Sequence, residues 1–219
     1  AEKPAAGEKK HLGEYNDGFL IDMRRALKGD EEQMSSLIYR NRRNPAETGV
    51  LNFMAGTNGF TMMDMVSYDQ KHNEANGENN RDGSDYNYSW NCGAEGETND
   101  PEVLKLRYRM IRNACAVLMC SRGTPMFLAG DEFGNTQYGN NNGYCQDSEI
   151  SWLNWNDLEK NQGLFEFFKY MIAFRQEHRV IREKLPDAVC GMDPIHTHDT
   201  DAERTDIARD AMTFCVSFA

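Results

Sequence analysis

The sequence predicts an α/β protein built on a parallel sheet, and three observations predict it. Apolar runs of strand length alternate with amphipathic segments of helix length, which implies strands joined by helical crossovers. One of those runs, Met126 to Ala129, is apolar throughout, as a strand covered on both faces requires. Polar loops follow the runs at Thr57-Asn58 and at Asp131-Glu132, where barrel-type sheets carry their working groups.

The elements follow in order. Phe19, Leu20, Met23, Ala26 and Leu27 recur at three- and four-residue steps after Asn16-Asp17, which reads as an amphipathic helix closed by Gly29. A shorter helix is expected over Glu31 to Tyr39, then a basic, proline-containing connection. Gly49 to Ala55 reads as a strand that ends at Gly56-Thr57-Asn58-Gly59. Thr61 is a candidate N-cap for a helix to Tyr68. Lys71 to Asp100 is a long polar loop rich in asparagine, of a length that usually marks function or disorder. Tyr86, Tyr88 and Trp90 alternate with polar residues in it and favour order. Asp100-Pro101-Glu102 is a strong helix start, with Leu104, Tyr108, Ile111, Cys115 and Leu118 as the expected buried stripe and Gly123 as the stop. After the strand at Met126 to Ala129, a last helix covers about Leu164 to His178, with Arg175 on its apolar side. Ala211 to Phe218 reads as a β-strand.

At 219 residues the chain is long enough to bury a core. A formal charge of -11 argues against nucleic acid and against an anionic membrane as partners, since both are polyanions. Mean hydropathy is low at -0.75, yet 11% aromatic content is too rich for a disordered chain. The 6 cysteines show no metal-binding spacing and suit small buried side chains in a reducing compartment, so a cytoplasmic location is expected. No metal or cofactor is expected. Ile195-His196-Thr197-His198-Asp199 puts two imidazoles on one side of an extended segment but offers no third ligand.

Two constellations carry candidate chemistry. Asp131 and Glu132 at a strand end offer carboxylates for acid and base work on a glycosidic bond, or else cap the next turn and orient loop amides. Residues 73–91, with Arg81 and Asp82 within them, offer a substrate wall on which Tyr86, Tyr88 or Trp90 could stack, or else a structural loop whose amides satisfy its own backbone.

Gly59-Phe60-Thr61-Met62-Met63-Asp64-Met65-Val66-Ser67-Tyr68, then Lys71-His72-Asn73-Glu74-Ala75-Asn76-Gly77-Glu78-Asn79-Asn80-Arg81-Asp82-Gly83, resembles the glycogen-debranching and isoamylase branch of the α-amylase superfamily. So do Asn87 to Gly93, Gly123 to Gly134 and Gly139 to Trp152. The resemblance implies the last three βα units of a (β/α)8 TIM barrel followed by the first strand of a β-sandwich. Residues 1–10 would be a flexible tail, 11–185 the partial barrel, and 186–219 a linker and the start of a C-terminal β domain.

The family acts on α-1,6 branch points of glycogen-like glucans through a carboxylate nucleophile, a glutamic general acid and a stabilising aspartate. The first two lie on earlier strands, to which nothing in these residues corresponds. The family's His-Asp pair after the seventh strand falls here on Thr57 and Asn58, so charge and imidazole are both lost. The resemblance thus implies a truncated, C-terminal part of an α-1,6-glucosidase, inactive alone, or a non-catalytic α-glucan-binding or protein-interaction module derived from one. Asp131, Glu132, Asn141, Asn142, Tyr144, Arg81, Asp82 and Trp90 are its candidate substrate contacts. Open sheet edges imply a homo-oligomer or a complementing chain.

Overall fold

The computed structural model describes residues 13–45 and 48–182, together with the backbone of 195–198 and 215–218. The tail at 1–10 and most of the stretch from 186 onward therefore lie outside the described residues. Three strands, β1 (Gly13–Tyr15), β2 (Gly49–Phe53) and β3 (Thr124–Met126), form a parallel sheet in the order β1-β2-β3. Tyr15 is in register with Leu51, and Leu51 with Thr124. Helices α1 (Asp17–Lys28) and α2 (Met34–Arg42) connect β1 to β2, and α3 (Pro101–Cys120) connects β2 to β3. Past β3 come α4 (Asn156–Lys160), α5 (Gln162–Glu177) and α6 (Arg179–Arg182). The last two strands, β4 (Ile195–His198) and β5 (Cys215–Phe218), pair antiparallel. The expected strand over 211–218 is thus seen at 215–218, and 211–214 lie outside the described residues.

Local chemistry accounts for the main helices. Asn16 caps α1 by accepting from the Phe19 N–H at 3.3 Å, and Gly29 closes it in the left-handed region at φ 89°. Asp100 caps α3 through the Glu102 N–H at 2.9 Å, ahead of Pro101. α3 packs against α1 and α5, and Phe19, Met23, Ile111, Leu118, Leu164 and Phe168 meet in one core with Met54, Phe60 and Met62 from the loop after β2. Leu104 and Tyr108, expected in the buried stripe of α3, are only partly buried; Arg107, Ala114 and Met119 join it instead. A chain of amides crosses the sheet: Asn16 Nδ2 donates to Asn52 Oδ1 at 2.8 Å, and Asn52 Nδ2 donates to the Arg122 carbonyl at 2.5 Å.

The helix expected over Glu31 to Tyr39 lies at Met34–Arg42, and two further elements differ from expectation. The strand read at Met126 to Ala129 lies at Thr124–Met126, and Ala129 is exposed. Its ladder stops there because the Leu128 N–H turns to the Asp131 carboxylate at 3.0 Å. The helix expected over Thr61 to Tyr68 shrinks to one 3-10 turn at Asp64–Val66, although Thr61 Oγ1 does accept from the Asp64 N–H at 3.0 Å. Carbonyls that would carry that helix onward are taken by the long loop: Met65 O accepts from the Trp90 N–H at 2.9 Å, and Ser67 O from Gly96 at 2.7 Å.

Candidate functional site

The C-terminal ends of the three parallel strands open onto one concavity of about 450 Å3. Tyr15 and Asp17 line it from the end of β1, Phe53 and residues 55–58 from the end of β2, and Met126 to Ala129 from the end of β3. Thr57 and Asn58 are exposed at its lip, so the two residues that the sequence placed there are where a ligand could meet them. Tyr15 is 63% exposed and meets Phe53 edge-on at 6.0 Å, a half-free ring beside the same opening. Asp17 is the single carboxylate among these lining residues.

What holds Thr57 and Asn58 is a set of clamps on the segment 54–62. Arg24, 4% exposed, donates to the Met54 carbonyl at 2.8 Å through Nε and to the Phe60 carbonyl at 3.0 Å through Nη2, so one guanidinium grips both legs of the loop. Its Nη1 reaches the Asn87 carbonyl at 2.9 Å and ties in the long loop. At the tip, the Gly59 N–H donates to the Asn141 carbonyl at 2.9 Å. Beyond it, the Met62 N–H donates to Asp131 Oδ1 at 2.8 Å.

Asp131 and Asn141 therefore sit inside the structure and not on its wetted surface. Asp131 is 0% exposed, with one oxygen on Met62 N–H and the other on Leu128 N–H. Burial pushes its carboxyl up to about 7, against the pull of those two N–H groups and of Arg24. Asn141 is 3% exposed: Nδ2 donates to the Ser84 carbonyl and to Asn87 Oδ1, at 2.7 and 2.8 Å, while Oδ1 accepts from Asn73 Nδ2 at 2.9 Å. Glu132 is partly buried and accepts from the Gly130 N–H at 2.8 Å, which caps its own turn.

The remaining candidates scatter. Asn142 Nδ2 and Asn76 Nδ2 donate to Asp82 Oδ2 at 2.8 and 2.7 Å, and those amides of Asn76 and Asn142 hold the Asp82 carboxyl below the usual range. Arg81 is exposed, its Nε on the Glu78 carbonyl at 3.3 Å. Tyr144 is 82% exposed and free to stack. Trp90 lies beside Tyr88, Leu27 and Met110 over α1 and α3, away from the strand-end opening.

The asparagine-rich loop is thus an ordered body whose amides mostly bond one another. Asn79 and Asn80 take φ of 53° and 58°, which asparagine tolerates better than bulkier residues. Gly83, at φ 69°, lies so close to Asn141 that a Cβ would stand 2.1 Å from Oδ1. Replacing Asn141 by alanine removes one partner each from the Asn73 amide and the Ser84 carbonyl, and leaves the Asn87 side-chain oxygen without its donor. A loss of about 3 kcal/mol is expected on the scale of buried unpaired groups, read as a lower urea midpoint with faster amide exchange over 71–91. Unchanged exchange in that loop would refute the clamp.

No family model matches the chain. The "Glycogen operon protein GlgX homolog" of Mycobacterium tuberculosis is 53% identical over 150 residues, which is 68% of this chain and 20% of that protein. "Isoamylase 3, chloroplastic" of Oryza sativa subsp. japonica is 47% identical over 180 residues, 77% of this chain and 23% of its own length. Over the matched stretch, the chain is a relative of the glycogen-debranching and isoamylase enzymes of the α-amylase superfamily. It spans about a fifth to a quarter of the length of these relatives. Among solved structures, the pullulanase from Bacillus acidopullulyticus superposes with a TM-score of 0.62 at 18% identity, covering 85% of this chain and 21% of that one. Pullulanase from Anoxybacillus sp. LM18-11, complexed with maltotetraose, gives 0.59 at 20% identity, covering 85% and 25%. At such identities these neighbours speak for the fold alone. Among the described residues no helix is long and apolar enough to cross a membrane.

Sequence reasoning missed the clamps. Arg24 reads as a solvent residue of an amphipathic helix, and Arg107 carries no local signal. Arg175 did give one: it falls at helical spacing from Phe168 and Met171, and it donates to the Met119, Ser121 and Gly123 carbonyls at 2.6 to 2.7 Å.

Proposed function

We propose that this chain is the C-terminal part of the catalytic barrel of a glycogen-debranching-type α-1,6-glucosidase, carrying one wall of the glucan cleft and no hydrolytic activity by itself. Residues 11–185 form the last three βα units, and 186–219 lead into a β domain. The observation that carries the reading is the strand-end concavity, with Thr57 and Asn58 at its lip and Asp17 as the single carboxylate among its lining residues. Retaining hydrolysis needs two carboxyl groups about 5 to 5.5 Å apart across the bond. A neutral threonine and asparagine hold the shape of a substrate wall without supplying either charge.

Within this reading Thr57, Asn58 and Tyr15 face the glucan, and Tyr144, Glu132, Asn142, Arg81 and Asp82 are further candidate contacts outside the lining of the opening. Asp131 and Asn141 act as positioning residues that fix the Thr57-Asn58 loop from behind. The outer strands β1 and β3 each pair on one side only among the described residues, so further barrel units, in the same polypeptide or in a second chain, cover their free edges. A cytoplasmic location fits the unpaired Cys92, Cys115, Cys120 and Cys145.

The test is direct. The purified 219-residue chain should release no reducing ends from a branched α-glucan, should bind maltotetraose in the millimolar range, and should show a light-scattering mass above the monomer's 25.1 kDa. Turnover by the chain alone would overturn the inactivity, absence of binding would overturn the glucan wall, and a clean monomer would overturn coverage of the edges by a second copy of this chain.

A further inference from the structure

We propose that a second concavity, separate from the strand-end opening, binds a neutral oligosaccharide. It holds about 580 Å3 and lies among the loop that leads into α3, the loop after β3 and the segment around α4. None of its lining residues lines the first concavity. Tyr68, Tyr108 and Tyr138 all line it, Tyr68 buried, Tyr108 half-buried and Tyr138 exposed. A pyranose ring carries an apolar C–H face that stacks on an exposed ring such as Tyr138 while its hydroxyls meet the polar groups around it.

The charge pattern narrows the ligand. Glu97 and Asp157 on the lining are matched by Arg107 and Lys160, with Lys160 Nζ 3.2 Å from Asp157, so the wall has no net formal charge to attract an anion or a cation. Two buried polar atoms then ask for partners. Ser67 is 4% exposed and Arg107 3%, both residues line the cavity, and neither Ser67 Oγ nor Arg107 Nε has a hydrogen-bond partner. Buried polar atoms are nearly always paired, so two orphans behind one wall mark a place where a held water, or a ligand hydroxyl admitted by a small shift of the lining, completes the set. The serine hydroxyl donates and accepts and the Nε–H donates, which is the complement of a sugar hydroxyl.

Tyr138 adds to this. It is 39% exposed and held at φ 55°, a conformation that costs a bulky residue energy, by the bond from its N–H to Thr136 Oγ1 at 3.0 Å. The backbone bears that strain where the ring is presented to the cavity.

The experiment is an amide-shift titration of the isotope-labelled full chain with maltotetraose and, in a second arm, cellotetraose. Saturating shifts are expected at Ser67, Tyr138 and Asn161, with the same midpoint in Asn58→Ala. Tyr138→Gly, which relieves the positive φ, should weaken them about tenfold, and Ser67→Ala should weaken them without lowering the melting temperature. Still amides up to about 10 mM of both sugars, or a midpoint unchanged in both variants, would show the orphans to be water sites and overturn the proposal. Shifts confined to Thr57 and Asn58 would overturn it while leaving the glucan wall standing, and shifts confined to the second site would do the reverse.

Discussion

Arg24→Ala is expected to cost at least about 4 kcal/mol, a large share of the about 5 to 15 kcal/mol that holds an ordinary domain together. The side chain is 4% exposed and its donors end on the Met54, Phe60 and Asn87 carbonyls. Removing it leaves three buried acceptors without a donor, at about 1 to 3 kcal/mol each, and a cavity as well. Burial already pulls the guanidinium down to about 10, so the cation is held there by its bonds and by Asp131 and Asp64 against its own desolvation. Arg24→Lys keeps the charge but not the fork that spans two carbonyls, and about half the loss is expected. Urea unfolding measures both. The local signature is faster amide exchange from 54 to 62 in the lysine variant while α5 stays protected. A loss below about 1 kcal/mol in the alanine variant would mean that the loop stands without the clamp.

The second large effect is on pH dependence. Asp131 and Asp64 are each 0% exposed, and burial pushes their carboxyls from 3.8 up to about 7 and about 6. For Asp64 the bonds from Thr136 and from the Gln137 N–H oppose the rise. A raised carboxyl means that the folded chain binds more protons than the unfolded one across this window. The contribution is therefore fully present below about pH 4 and is lost as pH rises through about 7.

Asp131→Asn removes that slope together with one acceptor. It should be clearly less stable than the parent at pH 4.5, and the gap should shrink by about 3 kcal/mol on going to pH 8, at about 1.4 kcal/mol per pH unit below the folded value. Parallel stability profiles for the two proteins would show that the Asp131 carboxyl titrates normally in the fold.

These two positions also show where the sequence was legible. Asn16 and Gly29 around α1, and Asp100-Pro101 ahead of α3, act on neighbours within three residues, so their roles could be read directly. Asp131 looked like a working group at a strand end because an acidic pair after an apolar run has one appearance whether it faces water or turns inward. What decides it is Met62, which is 69 positions away. The asparagine-rich loop left two readings open for the same reason. Its composition suits sugar hydroxyls and suits other amides equally, and only the meeting of Asn73 and Asn76 with the segment 140–142 shows most of them engaged. The Thr57-Asn58 pair lies after β2 and lines the strand-end concavity, but the residues that hold its loop come from α1 and from the loop after β3.

Arg24, Arg107 and Arg175 each gather carbonyl oxygens from a place where the backbone turns: Met54, Phe60 and Asn87 for the first, Asn91, Ala94 and Gly96 for the second, Met119, Ser121 and Gly123 for the third. A ring of inward carbonyls around a positive centre is the arrangement by which loops elsewhere hold a hard cation such as calcium. Here the cation is tethered to a helix, cannot be washed out by a chelator, and arrives when the helix that carries it folds. Order in these three turns is therefore coupled to formation of their helices.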